Sequence, residues 1–82
     1  MSPFQIGDHI RLLSIPAAVI GDRVRFPDTF DLLKRAVGKC FHIQSFNDLG
    51  MAELWMKGDA SEDTSACHHS VWIEQEYLSK TD

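Results

Sequence analysis

Apolar and polar residues alternate in three stretches of the second half of the chain, as they do in half-buried β-strands. The stretches cover residues 39–46, 51–57 and 68–74. The turn-forming run 47–50 separates the first two, and its glycine can supply the positive φ that such a turn requires. The pattern predicts an antiparallel meander of three strands, followed by one tight turn over 75–78 and a short last strand.

The first half of the chain predicts one strand and a long connection. Residues 9–13 alternate, with Ile10 and Leu12 on one face. Pro16 ends this strand because proline cannot donate a hydrogen bond to a central ladder. A polar, acidic run over 58–65 has few apolar residues and is expected to be a mobile loop.

The long connection contains one segment with helical spacing. Over residues 28–37 the apolar side chains, Leu33 and Val37 among them, recur on one helical face. Asp28 is a good N-cap residue, and Gly38 follows where many helices end. A short amphipathic helix is therefore predicted over 28–37.

The order of these elements resembles an SH3-like barrel. Four short segments carry the resemblance: Gly7-Asp8-His9-Ile10-Arg11, Ser14-Ile15-Pro16, Gly38-Lys39-Cys40-Phe41 and His69-Ser70-Val71-Trp72-Ile73-Glu74. They are similar to segments of a group of small bacterial SH3-like proteins, over nearly the whole chain. The resemblance implies a mainly β fold and a single SH3-like domain over 1–82. That domain would be a five-stranded barrel with one short α-helix in the long connection after the first strand.

Composition narrows the possible functions. Twelve acidic residues against eight Lys and Arg give a net charge of −4, which argues against nucleic acid as a partner. No apolar run approaches the roughly 20 residues of a membrane-spanning helix. The two cysteines and the absence of a signal-like N-terminal pattern favour the cytoplasm. SH3-like folds bind peptides, bind RNA or assemble subunits, so the fold does not select among these functions.

The predicted register places two tryptophans on the outward face of the meander. If residue 46 pairs with 51 and residue 57 with 68, the outward set is Cys40, His42, Gln44, Glu53, Trp55, His68 and Trp72. Trp55 and Trp72 would then be diagonal neighbours, roughly 7–8 Å apart between backbones. In this register His42 opposes Trp55, and Gln44 opposes Glu53.

Two large aromatic side chains with polar neighbours are typical of a protein-binding patch. The sequence therefore predicts a non-catalytic interaction or assembly module, with Trp55 and Trp72 as anchors and His42, Gln44 and Glu53 around them. The partner would be another protein or a second copy of the chain. One alternative stays open, in which the 28–37 helix or the long connection packs over both tryptophans.

A metal site and an enzyme active site find weaker support. Cys40, Cys67 and His68 have ligand chemistry suited to zinc, but no second C-x-x-C pair accompanies them. No cofactor is expected. Ser70 and Glu74 alternate on one strand, which does not aim a base at a nucleophile, so no enzymatic activity is expected. The alternative function is a small accessory or regulatory subunit that binds a metal ion or nucleic acid.

Overall fold

The computed structural model of the protein describes residues 3–65 and 69–81. Within those ranges the chain forms six β-strands, two α-helices and one 3-10 turn. In chain order they are β1 (His9–Leu12), α1 (Ala17–Gly21), α2 (Pro27–Ala36), β2 (Cys40–His42), β3 (Ser45–Phe46), β4 (Ala52–Met56), β5 (His69–Ile73), the 3-10 turn (Gln75–Tyr77) and β6 (Leu78–Lys80). No helix in the described ranges is both long and apolar enough to cross a membrane.

The strands form two antiparallel sheets of three strands each, in the orders β2-β1-β6 and β3-β4-β5. The predicted five-stranded closed barrel is therefore wrong. The stretch 39–46, predicted as one strand, is divided between the two sheets, because β2 pairs with β1 and β3 pairs with β4. The two sheets meet through their shared core and not through one continuous ladder.

The ladder between β3 and β4 has a local irregularity at residues 44 and 45. Ser45 pairs with Glu53, and the Gln44 N–H also donates to the Glu53 carbonyl, at 2.9 Å. Two residues facing one is the arrangement of a β-bulge. On the turn side of this bulge Phe46 lies opposite Ala52, and the Asn47 N–H donates to the Met51 carbonyl at 3.1 Å, so the turn closes on residues 47 and 51 and not on the pair 46 and 51 of the predicted register. The predicted pairings of Gln44 with Glu53 and of His42 with Trp55 depended on that register and are wrong.

The acidic run 58–65 packs against β4 and is not the mobile loop predicted from its composition. Lys57 N–H donates to the Ser61 carbonyl at 2.8 Å, and Asp63 N–H donates to the Trp55 carbonyl at 3.1 Å. Ala60 is fully buried with a φ of 68°. The run thus occupies the edge of β4 beyond β3, which is the edge that β2 would need in order to close a barrel.

Glu62 joins the two sheets at this edge. It forms a bridge with Met56 of β4, and its carboxylate accepts a hydrogen bond from the His42 main-chain N–H of β2. The His42 ring nitrogen Nδ1 lies 3.0 Å from the same carboxylate oxygen. The side chain therefore satisfies a main-chain donor that a continuous β2–β4 ladder would otherwise have paired.

Replacing Glu62 with glutamine should lower the free energy of unfolding by about 1 kcal/mol, because a hydrogen bond to an ionised acceptor is stronger than one to a neutral acceptor. Urea unfolding followed by tryptophan fluorescence measures the change. The matched control is Glu76→Gln, which removes an exposed carboxylate from the 3-10 turn. Equal unfolding midpoints for the two variants would show that Glu62 does not join the sheets.

Asp59, another acidic residue of the run 58–65, stabilises the turn at the start of that run. The hydroxyl of Ser61 donates to Asp59 Oδ1 at 2.6 Å, and the Ser61 N–H donates to it at 3.0 Å. These hydrogen bonds, the hydroxyl's first, lower the pKa of Asp59 below its ordinary value. A carboxyl whose pKa is lowered by folding contributes stability at neutral pH and loses it as the pH falls through the folded-state pKa.

Helix α2 begins at Pro27, one residue earlier than predicted, and Phe26 rather than Asp28 is the N-cap residue. Proline suits the first helical position because its fixed φ is already helical. Asp28 lies in the first turn, where its negative charge favours the helix dipole. Gly38 follows with a φ of 88° and ends the helix as predicted. The connection also holds α1, a helix of five residues.

The core lies between the inner faces of the two sheets and one side of α2. Its largest fully buried apolar side chains are Ile10, Leu12, Leu33, Phe41, Ile43, Leu54, Met56 and Ile73. Leu33 belongs to α2, Phe41 to β2 and Leu54 to β4, so the helix packs on the same core as both sheets. This placement leaves α2 on the inner side of β4 and β5, away from their outer face.

Candidate functional site

Strict alternation along β4 separates an inner face from an outer face. Ala52, Leu54 and Met56 are fully buried, whereas Glu53 and Trp55 between them are half-buried. Residues directly opposite each other in an antiparallel pair share a face of the sheet. The partners of the outer β4 residues on β5 therefore extend the same outer face.

These partners place the two tryptophans as the sequence predicted. Trp55 lies opposite Ser70, and Glu53 lies opposite Trp72. The predicted register between β4 and β5 is thus confirmed, and Trp55 and Trp72 are diagonal neighbours on the outer face. We call Glu53, Trp55, Ser70 and Trp72 the outer patch.

The two tryptophans differ in exposure. Trp72 is 39% exposed and is among the exposed large apolar residues of the protein. Trp55 is half-buried, and its indole nitrogen Nε1 is fully buried. Helix α2 does not cover them, because it packs on the opposite side of the sheet. Trp72 therefore provides the accessible aromatic surface of the outer patch. Trp55 is its half-buried diagonal neighbour on the same face.

Polar groups flank the tryptophans on the β3 side. The hydroxyl of Ser45 donates to Glu53 Oε1 at 2.8 Å, which fixes the carboxylate beside Trp72. Gln44 sits at the bulge next to Glu53, and its amide Nε2 donates to the His42 carbonyl at 3.5 Å. Gln44 and Glu53 are thus neighbours, although not as the directly opposed pair that the sequence predicted.

His42 belongs to the other sheet. It pairs with His9 of β1, and the two imidazole rings stack with centroids 4.6 Å apart. Its Nδ1 faces Glu62, and His9 Nδ1 lies 2.7 Å from the Thr81 hydroxyl. His42 therefore belongs to a small polar cluster with these residues and is not paired across from Trp55. No sequence pattern predicts this cluster, because its members are far apart along the chain.

The metal candidates are only partly described. Cys40 is a half-buried free thiol on β2 and pairs with Arg11 of β1. Cys67 and His68 lie outside the described residues. Over 3–65 and 69–81, no group of three or more His, Cys, Asp or Glu side chains is arranged to hold a metal ion.

Strand β5 forms one edge of its sheet, and half of its main-chain groups face away from β4. The Glu53 and Trp55 carbonyls and the Lys57 N–H are directed to the other side of β4. Residues 52, 54 and 56 consequently bond to their β5 partners 73, 71 and 69. The N–H and C=O groups of Ser70 and Trp72 point outward, and the described part of the chain forms no hydrogen bond with them.

A groove runs between this edge and α2. Its volume is about 420 Å3, and its walls are formed by Asp28, Thr29, Asp31, Leu32, Arg35, Gly58, His69, Ser70 and Val71. The Arg35 guanidinium connects α2 to the turn after β4 by donating a hydrogen bond to the Gly58 carbonyl at 3.0 Å. The same guanidinium lies 3.3 Å from the Asp31 carboxylate, with which it forms an ion pair. Asp28 forms no ion pair within the described ranges. The sequence did not predict this groove, because α2 and β5 are distant in the chain.

A second apolar surface lies on α1 and on the connection between α1 and α2. Ile20, Val24 and Phe26 are 42%, 87% and 52% exposed. A cavity of about 240 Å3 beside Phe26 is lined by Ala18, Val19, Asp22 and Thr29 as well. This surface provides exposed apolar residues outside the outer patch, so its variants serve as controls.

Comparisons with protein-family models, with curated proteins and with solved structures found no match for this chain. The resemblance to small bacterial SH3-like proteins therefore stays a prediction.

Proposed function

We propose that the protein is a non-catalytic protein-binding module that uses the outer patch, with Trp72 as its central contact. The observation that carries the proposal is the 39% exposure of Trp72 on a sheet face that the protein's own helix leaves uncovered. Exposed tryptophan is costly in water and is enriched among the residues that dominate binding energy at interfaces.

The surroundings of Trp72 support the same function. Trp55 lies diagonally beside it, and Glu53 and Ser70 supply polar groups at the margin. An aromatic centre with a polar margin is the usual composition of a protein-binding surface. The net charge of −4 opposes nucleic acid as the partner. The free thiol of Cys40 suits the reducing cytoplasm, which is our proposed location.

Peptide display tests this function, because a random library samples many possible partners at once. The library is selected against the immobilised protein, and the recovered peptides are titrated by fluorescence anisotropy. Trp72→Ala should weaken their binding by at least about tenfold, as loss of a central aromatic contact does. Phe26→Ala, which truncates an exposed aromatic on the other apolar surface, should leave the affinity within about twofold.

Sedimentation velocity supplies the second readout, because a second copy of the chain is also a protein partner. A dimer that dissociates in Trp72→Ala and persists in Phe26→Ala would support the outer patch. Recovered peptides that bind the wild type and Trp72→Ala equally would overturn the proposal. So would a monomeric protein against which no peptide is enriched.

A further inference from the structure

We infer that the partner is an extended, basic peptide segment that binds by adding a strand to β5. The inference rests on the proposed function and specifies its binding mode and the chemistry of its partner. It is carried by the juxtaposition of the outward edge of β5, the groove against α2 and the carboxylate of Asp28, which forms no ion pair with a described residue.

The main chain of β5 provides the hydrogen-bonding groups. The outward N–H and C=O of Ser70 and Trp72 have no partner within the described ranges, and both residues are exposed. A peptide strand laid along this edge would satisfy these groups in the ordinary spacing of a β-ladder. Its backbone would thus be recognised without regard to its side chains.

β5 is the edge best suited to this role. It has five residues, whereas β2 and β6 have three and β3 has two. On β2, the His42 N–H is already bonded to Glu62. Proteins usually protect an edge strand with charged residues, proline or a bulge. The sequence of β5, His-Ser-Val-Trp-Ile, contains neither proline nor an acidic or lysine side chain.

The side chains of an added strand would alternate between two environments. Those on one face would lie beside Trp72 on the outer patch, which joins this inference to the proposed function. Those on the other face would enter the groove beside Val71 and Leu32. One peptide would therefore cover both the exposed indole and the groove.

The acidic residues at the groove and the negative net charge favour a basic peptide as the partner. Arg35 lies 3.3 Å from Asp31 and offsets its charge, whereas Asp28 at the same groove has no ion pair in the described part of the chain. The net charge of −4 adds a long-range attraction for cations. A Lys or Arg side chain in the groove would thus complement Asp28.

The peptides recovered by display are the probe for this inference. We expect an enriched pattern of alternating β-branched or aromatic residues with at least one Lys or Arg. N-methylation of single peptide residues then tests strand addition directly. Methylation at alternate positions should weaken binding by about tenfold or more, and methylation at the intervening positions should leave it unchanged, because only every second N–H faces β5.

A separate variant and its control test whether the groove contributes to peptide binding. Asp28→Asn should weaken binding by about threefold to fivefold, and the effect should shrink at high salt. Asp48→Asn removes the same charge from the exposed turn between β3 and β4 and should change nothing. In hydrogen exchange, the amides of Ser70 and Trp72 should gain protection when the peptide is bound.

Failure of this inference can be told apart from failure of the proposed function. If recovered peptides depend on Trp72 but tolerate N-methylation at every position, protein binding stands and strand addition is overturned. Proline-rich or acidic peptides as the enriched class would overturn it as well. A dimer formed through β5 would mean that a second copy occupies the edge, which contradicts the peptide assignment. Binding that is indifferent to Trp72→Ala overturns the proposed function itself.

Discussion

The Phe41→Ala variant is expected to lose about 3–5 kcal/mol of unfolding free energy, the range typical of a buried phenylalanine that is truncated. Phe41 is fully buried, lies opposite Ile10 in its sheet and belongs to the core shared by both sheets. Because no continuous ladder joins the sheets in the described ranges, their association depends on this core together with the contacts of Glu62. The loss is a large part of the roughly 5–15 kcal/mol that keeps a domain folded, so much of the variant should be unfolded.

Urea unfolding followed by circular dichroism measures the effect. Phe26→Ala is the matched control, since it removes the same side chain where it is 52% exposed, and it should cost less than about 0.5 kcal/mol. If the two variants unfold at the same urea concentration, the shared core does not hold the sheets together.

Truncating the two tryptophans should lower the free energy of unfolding to different extents. Trp55→Ala should cost about 2 kcal/mol or more, because its half-buried indole would leave a cavity beside β4. Trp72→Ala should cost less than about 1 kcal/mol, because much of its surface is already in water. Circular dichroism is again the probe, since each variant removes one of the two fluorophores.

This contrast decides whether Trp72 can serve as a binding residue. A Trp72→Ala protein that is folded and stable allows its loss of binding to be attributed to the missing contact. A Trp72→Ala protein as unstable as Trp55→Ala would mean that both side chains belong to the core. The outer patch would then lose its role as a binding surface.

Alternation predicted the β4–β5 pair because both strands have one buried and one outward face. β4 (Ala52–Met56) and β5 (His69–Ile73) lie within the predicted ranges 51–57 and 68–74. Their partners on the outer face, such as Glu53 and Trp72, were also predicted. The reason is that a period of two fixes which residues share a face once a single pair is known.

The alternating pattern did not predict that residues 39–46 leave one sheet and join the other, because the buried and outward positions continue in order across that change. Phe41 and Ile43 are both fully or almost fully buried, so the pattern continues through the end of β2. The bulge at Gln44 and Ser45 adds a residue to one strand and leaves no mark in the order of polar and apolar positions. The partner of a strand is a tertiary property, and the predicted barrel failed at that point.

The run 58–65 failed for a different reason. Its acidic composition predicts a solvated loop, yet Ala60 is fully buried, Asp63 is 6% exposed and Glu62 caps a main-chain donor. A few specific hydrogen bonds outweigh average polarity here. The groove between α2 and β5 could not be predicted either, because it depends on how a helix packs beside a distant strand.

The most direct test of the outer patch is the accessibility of each indole in solution. Trp55→Phe leaves Trp72 as the single tryptophan, and Trp72→Phe leaves Trp55. Iodide quenching at constant ionic strength should be strong for Trp72 and several-fold weaker for Trp55. Equal quenching of the two, or stronger quenching of Trp55, would contradict an accessible Trp72 on the outer patch.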